Sequence, residues 1–136
     1  PAERPADATV GADSRYAHQI AVFGADFQKK LESSKTFMVG CGALGCEFLK
    51  NFALMGVACG DGLVTTTDND RIEISNLNRQ FLFRSHNVGQ PKSSAAGVAV
   101  QEMNSDIKVR ALEELVWEGS EKTFNDEFWN SIDFVT

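Results

Sequence analysis

The chain has little with which to cross-link or anchor itself. Its three cysteines, Cys41, Cys46 and Cys59, form an odd set without a CxxC pair. That excludes a disulfide framework and offers no zinc pattern. No apolar run approaches the roughly 20 residues of a membrane span, and the opening Pro1-Ala2-Glu3-Arg4-Pro5-Ala6-Asp7 has no hydrophobic signal core. Cations are also in short supply: 13 Lys and Arg stand against 19 Asp and Glu, a net charge of −6. This balance argues against a general nucleic-acid binder. The expectation is an intracellular protein with neither nucleic acid nor membrane as a partner. What is present suffices for one domain with a core, since 43% of the 136 residues are apolar.

The chain is organised around residues 35–70. An apolar run, Thr36-Phe37-Met38-Val39, leads into the loop Gly40-Cys41-Gly42-Ala43-Leu44-Gly45, a helical pattern follows, and Leu63-Val64-Thr65-Thr66-Thr67 closes on Asp68-Asn69-Asp70. Gly40 suits a sharp turn out of a strand, Gly42 leaves bare backbone for a phosphate, and Gly45 lets the helix approach the sheet. The unpaired N–H groups of a helix start favour an anion. Leu44, Phe48, Leu49, Phe52, Ala53 and Met55 recur at helical spacing, which predicts one apolar face, with Gly56 as C-cap. Asp68 arrives about twenty residues beyond the loop, where a carboxylate can accept from ribose hydroxyls. The pattern points to an adenosine nucleotide and leaves open which one. Cys46 reads as a small buried residue on the helix, and Cys41, though inside the loop, as structural rather than reactive.

Residues 1–14 lack periodicity and read as a flexible leader or the tail of a preceding domain. From Ser14 the chain is expected to lie across the strand-loop-helix unit as a lid or interface, with Phe27 and Leu31 on one side of a short helix. His18 has no acid at a telling spacing and reads as a surface residue. After Asp70 comes a cationic island: residues 71–92 hold Arg71, Arg79, Arg84 and Lys92 against one acid, Glu73. Asn76, Asn78, Arg79 and Gln80 crowd polar hydrogen-bonding groups around Leu77 and against Phe81-Leu82-Phe83, an arrangement suited to holding something polar. Lys92 opens a helix behind Pro91, with Ala95, Ala96, Val98, Ala99 and Met103 as its apolar positions, and can reach a phosphate as a point charge. Residues 107–112 read as a third strand that residues 115–117 extend or leave. Residues 124–129 read as a short acidic helix packing Phe124, Phe128 and Trp129 inward, and residues 131–136 as a fourth strand. The fold class expected is α/β, Rossmann-like, with a mainly parallel sheet, helices on both faces and truncation at the C-terminus.

Gly40-Cys41-Gly42-Ala43-Leu44-Gly45-Cys46-Glu47, Thr67-Asp68-Asn69-Asp70 and above all Ser75-Asn76-Leu77-Asn78-Arg79-Gln80-Phe81-Leu82-Phe83 resemble the active adenylation domain of the enzymes that activate ubiquitin and ubiquitin-like proteins, a ThiF/MoeB-like family. The resemblance covers about residues 15–136 and implies the N-terminal part of an ATP-binding adenylation domain. Gln19-Ile20-Ala21-Val22-Phe23-Gly24 and Phe27-Gln28-Lys29-Lys30-Leu31 favour ubiquitin over related modifiers. In such enzymes the C-terminal carboxylate of ubiquitin attacks the α-phosphate of ATP, giving an acyl-adenylate and pyrophosphate. A cysteine in another domain then takes the acyl group as a thioester and passes it to a ubiquitin-conjugating enzyme.

Carried onto this chain, the resemblance implies ATP and Mg2+ as cofactors, with Gly40, Gly42, Ala43 and Gly45 lining the adenosine. Asp68 would hold the ribose, and Asn76, Arg79, Gln80 and Lys92 the phosphates, with Asp70 organising magnesium or pyrophosphate. Arg79 and Lys92 would be catalytic, by neutralising the leaving group; losing either would cost about 10²–10³ in rate, by analogy with loss of one preorganised donor. The family's metal-binding Asp, in an Asn-Ala-Leu-Asp-type loop after the fourth strand, is not among these residues. No Pro-x-Cys-Thr pattern marks an acceptor cysteine. The fragment alone is therefore expected to be inactive, with an inactive adenylation half of the same enzyme as partner, Arg15 facing that partner, and a cytoplasmic and nuclear location. The alternatives are an activating enzyme for a related modifier, a nucleotide-free scaffold half, and an NAD-dependent dehydrogenase, which shares the loop and ribose acid but needs no cluster at residues 76–92.

Overall fold

The computed structural model describes residues 14–136, so the leader expected over residues 1–14 falls almost wholly outside the described residues. Four strands, β1 (Lys35–Val39), β2 (Leu63–Thr67), β3 (Val109–Leu112) and β4 (Phe134–Val135), form one sheet in the order β3-β2-β1-β4. All neighbours are parallel, with Phe37 opposite Thr65 on one side and Val135 on the other. Strands covered on both faces carry continuous rather than alternating burial. β1 accordingly buries Thr36, Phe37 and Met38 in succession, and β2 buries Val64 through Thr67.

Successive residues on a strand point to opposite faces, and each face of β1 meets its own layer. Met38 joins the core formed with α3 (Ala43–Met55) and α4 (Lys92–Met103), which pack on each other. Phe37, fully buried, meets Phe124, Phe128 and Trp129 around α5 (Asp126–Asn130), with ring centroids 4.9–5.5 Å away. The order of strands reverses at β1, the point in a doubly wound sheet outside whose carboxyl ends ligands bind. The Rossmann-like α/β expectation therefore holds, with helices on both faces.

The helices turn differently from the hydrophobic pattern. In α3 the buried residues are Gly45, Cys46, Leu49, Phe52 and Ala53, whereas Leu44 and Phe48 are 75% and 44% exposed. Small residues let this helix approach the sheet, and that rotation carries the bulky Leu44 and Phe48 outward. α4 behaves likewise: Ser93, Ala95, Ala96, Gly97 and Val100 are buried while Val98 and Met103 are exposed. A Cβ on Gly97 would lie 3.3 Å from Val109. Gly56 caps α3 in the left-handed region as expected, φ 82°. Ile107 is buried in the core but precedes β3, and residues 115–117 turn away rather than extend it. The acidic helix begins only at Asp126, behind the Asn125 cap, so Phe124 packs from the turn before it and Trp129 stays partly exposed.

The segment after Ser14 corrects the lid expectation. It forms two helices, α1 (Ala17–Phe23) and α2 (Ala25–Ser33), separated at Gly24. Gln19 and Gln28 each donate to the Met55 carbonyl at the C-terminus of α3, and Arg15 donates to the Met103 carbonyl at the end of α4. Glu32 and Ser34 carbonyls accept from Gly62 and Leu63 at the amino end of β2. The segment therefore lies at the amino ends of the strands, opposite the glycine loop. Ile20 and Gln28 are its buried residues; Phe27 is exposed and meets Phe23 in a tilted contact at 5.2 Å.

Candidate functional site

At the carboxyl end of β1 the backbone turns through Gly40 at φ 95°, a conformation that glycine adopts without strain. Three residues on, α3 starts so close to the turn that a Cβ on Gly45 would sit 2.2 Å from the Gly40 carbonyl oxygen. Gly42 is the opposite case. A Cβ there would meet nothing nearer than Gln80 Nε2, at 4.0 Å. Gly42 is also the N-cap of α3 and provides no side-chain cap, so the first-turn N–H groups are left for another acceptor. Two loop glycines thus serve packing and turning, and the third faces open space.

Asp68 follows β2 and ties the neighbouring ends together. Its Oδ2 accepts from the Cys41 N–H at 2.6 Å and its Oδ1 from the Asp70 N–H at 2.8 Å. A carboxylate has about four lone-pair positions, so two remain for hydroxyls. Beyond it, Lys92 Nζ lies 2.7 Å from Asp70 Oδ2, with the lysine side chain 9% exposed and the aspartate 63%. The Lys92 N–H also donates to the Asp70 carbonyl, at 3.0 Å, which anchors the start of α4 beside the end of β2.

The polar island splits into inward and outward members. Asn76 and Gln80 are buried. Asn76 ends the 3-10 turn Ile74–Asn76, where its Oδ1 accepts from the Glu73 N–H. Gln80 Oε1 is buried and has no partner among the described residues, as is true of Ser93 Oγ in the first turn of α4. Arg79 is exposed, its guanidinium folded back on the Ser75 carbonyl and Asn78 Oδ1. The structure therefore brings together Gly40, Gly42, Ala43, Gly45, Asp68, Asp70, Gln80 and Lys92, and leaves the Arg79 guanidinium on its own turn. Ser93 escaped the sequence reading; its place next to Lys92 in a helix start was the available signal.

Cys41 has no nucleophilic character here. It is fully buried, its sulfur 3.0 Å from Thr66 Oγ1, and burial pushes the thiol up to about 12. Burial likewise raises Cys46, which is also inaccessible. No group of three or more His, Cys, Asp or Glu side chains that could hold a metal occurs among the described residues. Two concavities of about 580 and 540 Å3 lie away from this cluster, lined by residues of the 116–129 region and around Cys59.

Comparison with known proteins bears on the whole of this unit. The ThiF family model matches residues 16–136. The chain is 55% identical over 124 residues to ubiquitin-activating enzyme E1 2 of Triticum aestivum, covering 90% of the chain and 12% of that protein. It is 50% identical over 123 residues to ubiquitin-like modifier-activating enzyme 1 of Mus musculus, with the same coverage. The chain thus spans about an eighth of the length of these relatives. Among solved structures, E. coli MccB superposes with a TM-score of 0.74 at 26% identity, covering 88% of this chain and 34% of that one. MccB with ATP gives 0.73 at 26% identity, covering 87% and 36%.

Proposed function

The chain belongs to the ThiF family, and on that premise we propose that it is the ATP-binding part of an enzyme that activates ubiquitin. The reaction is adenylation of the ubiquitin C-terminal carboxylate, ahead of thioester transfer to a cysteine elsewhere in the protein. The observation that carries the nucleotide reading is the joining of two strand ends and a helix start around the glycine turn: Asp68 bonded to the Cys41 amide, with the Asp70–Lys92 pair beside it. The E1 relatives support ubiquitin as the substrate.

The residues fit ATP, the adenylyl donor. Gly42 borders open space, Asp68 has free acceptor positions, and the buried Gln80 side-chain oxygen, without a partner among the described residues, is an acceptor open to a ligand hydroxyl or water. Asp68 would take ribose hydroxyls, while the amides of the α3 start, Asn76, Arg79, Gln80 and Lys92 would take the phosphates. Mg2+ fits as a phosphate-borne ion, since magnesium commonly binds through one or two carboxylates plus substrate oxygens, and Asp70 is the exposed carboxylate nearest Lys92. Adenylation needs no protein nucleophile. The chain's contribution is alignment and neutralisation of charge on departing pyrophosphate, for which Lys92, already buried and desolvated, and Arg79 are suited. Ubiquitin, an inactive adenylation half and a conjugating enzyme are the partners of the full-length protein in this reading.

The test is calorimetric titration of the 136-residue chain with ATP and magnesium, in parallel with NAD and with an Arg79→Ala variant. ATP should bind, NAD should not, and the variant should bind ATP about tenfold or more weakly, the worth of a charged hydrogen bond. NAD binding indifferent to Arg79, or ATP binding unchanged in the variant, would overturn the reading.

A further inference from the structure

The charge of this chain is unevenly distributed. Between residues 113 and 133 seven carboxylates face one lysine, Lys122. The same stretch walls the concavity of about 580 Å3, lined by Trp117, Trp129 and Phe124 together with Glu118, Glu121 and Asp126. Its aromatic walls are held by specific contacts. Ser120 Oγ accepts from the Trp117 N–H and donates to the Trp117 carbonyl. The Trp117 ring lies against Gly119, where a Cβ would come within 2.2 Å of Cζ2. Trp129 Nε1 donates to the Phe124 carbonyl at 2.8 Å, and Phe124 is buried against Phe37. Trp117 nevertheless remains 65% exposed. The ion pairs among the described residues join Lys50 to Glu47, Arg71 to Glu113 and Lys92 to Asp70, so none engages the three carboxylates of the rim.

We propose that this aromatic, acid-rimmed cleft is a docking site for a basic peptide segment of a partner protein, one that inserts a Lys or Arg side chain between the tryptophans. Indole faces attract cations, most strongly where the cation is partly desolvated, and three unpaired carboxylates at the rim select positive charge and repel negative. An apolar occupant would leave those carboxylates desolvated without partners. The cleft is formed by the connection between β3 and β4, and none of its residues belongs to the nucleotide cluster. The inference therefore stands independently of the ATP reading.

The chain's two tryptophans are Trp117 and Trp129, so its tryptophan fluorescence, excited selectively, reports on this cleft. The experiment titrates the 136-residue chain with a short Lys/Arg–Gly peptide, a Glu–Gly peptide and a neutral leucine-containing peptide of equal length. Only the basic peptide should change the emission saturably. Its affinity should fall about tenfold in a Glu118→Gln, Glu121→Gln, Asp126→Asn variant, the sum of three modest rim attractions, and should weaken with salt. These side chains are exposed, so an unchanged far-UV circular dichroism spectrum serves as the folding control. A Trp117→Ala variant, read through Trp129, should bind several-fold more weakly. The proposal is overturned by an absent response to the basic peptide, by an equal response to the acidic or neutral peptide, or by affinity indifferent to the three charge substitutions. It is overturned equally if sedimentation shows that a second copy of the chain occupies the cleft.

Discussion

Two glycines three residues apart should respond to the same substitution in opposite ways. At Gly45 an added methyl would sit 2.2 Å from the Gly40 carbonyl oxygen, 3.1 Å from its carbon and 3.4 Å from Met38 Cε. The nearest atoms are backbone on a turn that is itself fixed by the Gly40 N–H bond to Thr67. α3 must therefore shift away from the sheet, and Cys46, Leu49 and Ala53, all fully buried, shift with it. Overpacking of this kind costs about 1–3 kcal/mol. Opposing this, Ala is the better helix former by up to about 1 kcal/mol. The net expectation for Gly45→Ala is about 1–2 kcal/mol of lost stability, a fall in urea midpoint of roughly 0.5–1 M at ordinary m-values. At Gly42 the methyl meets only Gln80 Nε2 at 4.0 Å, and the backbone, φ −75° and ψ −155°, admits alanine. Gly42→Ala should cost at most about 1 kcal/mol, for replacing a glycine N-cap. Its methyl instead fills the space proposed for phosphate, and ATP affinity should fall about tenfold or more, as when preorganised donors are displaced. Urea titrations followed by circular dichroism, with calorimetric ATP binding on the same samples, check both halves. Equal destabilisation by the two substitutions would refute the packing argument, and undiminished ATP binding by Gly42→Ala would refute the placement of the phosphate.

Burial of Cys41 gives an alkaline signature. Its folded pKa of about 12 lies above the unfolded value, so its stabilising contribution is complete below pH of roughly 8.5 and is lost as pH rises toward about 12. Cys41→Ala should make the fall of stability between pH 9 and 11 shallower by up to about one proton, measured as urea midpoint against pH; an unchanged slope would contradict the assignment. Asn104, 2% exposed, donates through Nδ2 to the Ala53 carbonyl and Tyr16 hydroxyl and accepts the Asp106 N–H. Asn104→Ala should cost about 1–3 kcal/mol by stranding the buried Ala53 carbonyl and the part-buried Tyr16 hydroxyl, and urea unfolding reads the loss directly.

The glycine turn, the span of α3 and its Gly56 cap were legible because each rests on local rules: a positive φ, a helical period, a left-handed end. The positions of Asp68, Asp70 and Lys92 followed from strand–turn–helix logic. The buried face of α3 was not legible. A hydrophobic pattern weights Leu44 and Phe48 by size, whereas the sheet selects Gly45 and Cys46 for closeness of approach. The site of the α1–α2 segment was hidden for a related reason. Its attachments are the Gln19 and Gln28 amides and the Arg15 guanidinium on the carbonyls of two distant helix ends, with backbone bonds to the start of β2, and such bonds leave no periodicity. Arg79 also defeats a local reading, since an exposed guanidinium takes whatever acceptor its own turn offers until a ligand supplies a better one.

The arm formed by α1 and α2 comes first among the described elements but not first in time. Its anchors at Met55, Met103 and Asn104 lie 27 to 88 residues away in sequence, so the set closes only after the sheet and both long helices have brought those groups together. The arm should dock late in refolding and open early on unfolding, as a low-stability unit that exchanges its amides ahead of β1 and β2. Among the described residues, a protease offered the native chain would accordingly cut within Ala17–Ser33 first. It would meet the glycine turn, at the far end of the sheet, only after global unfolding.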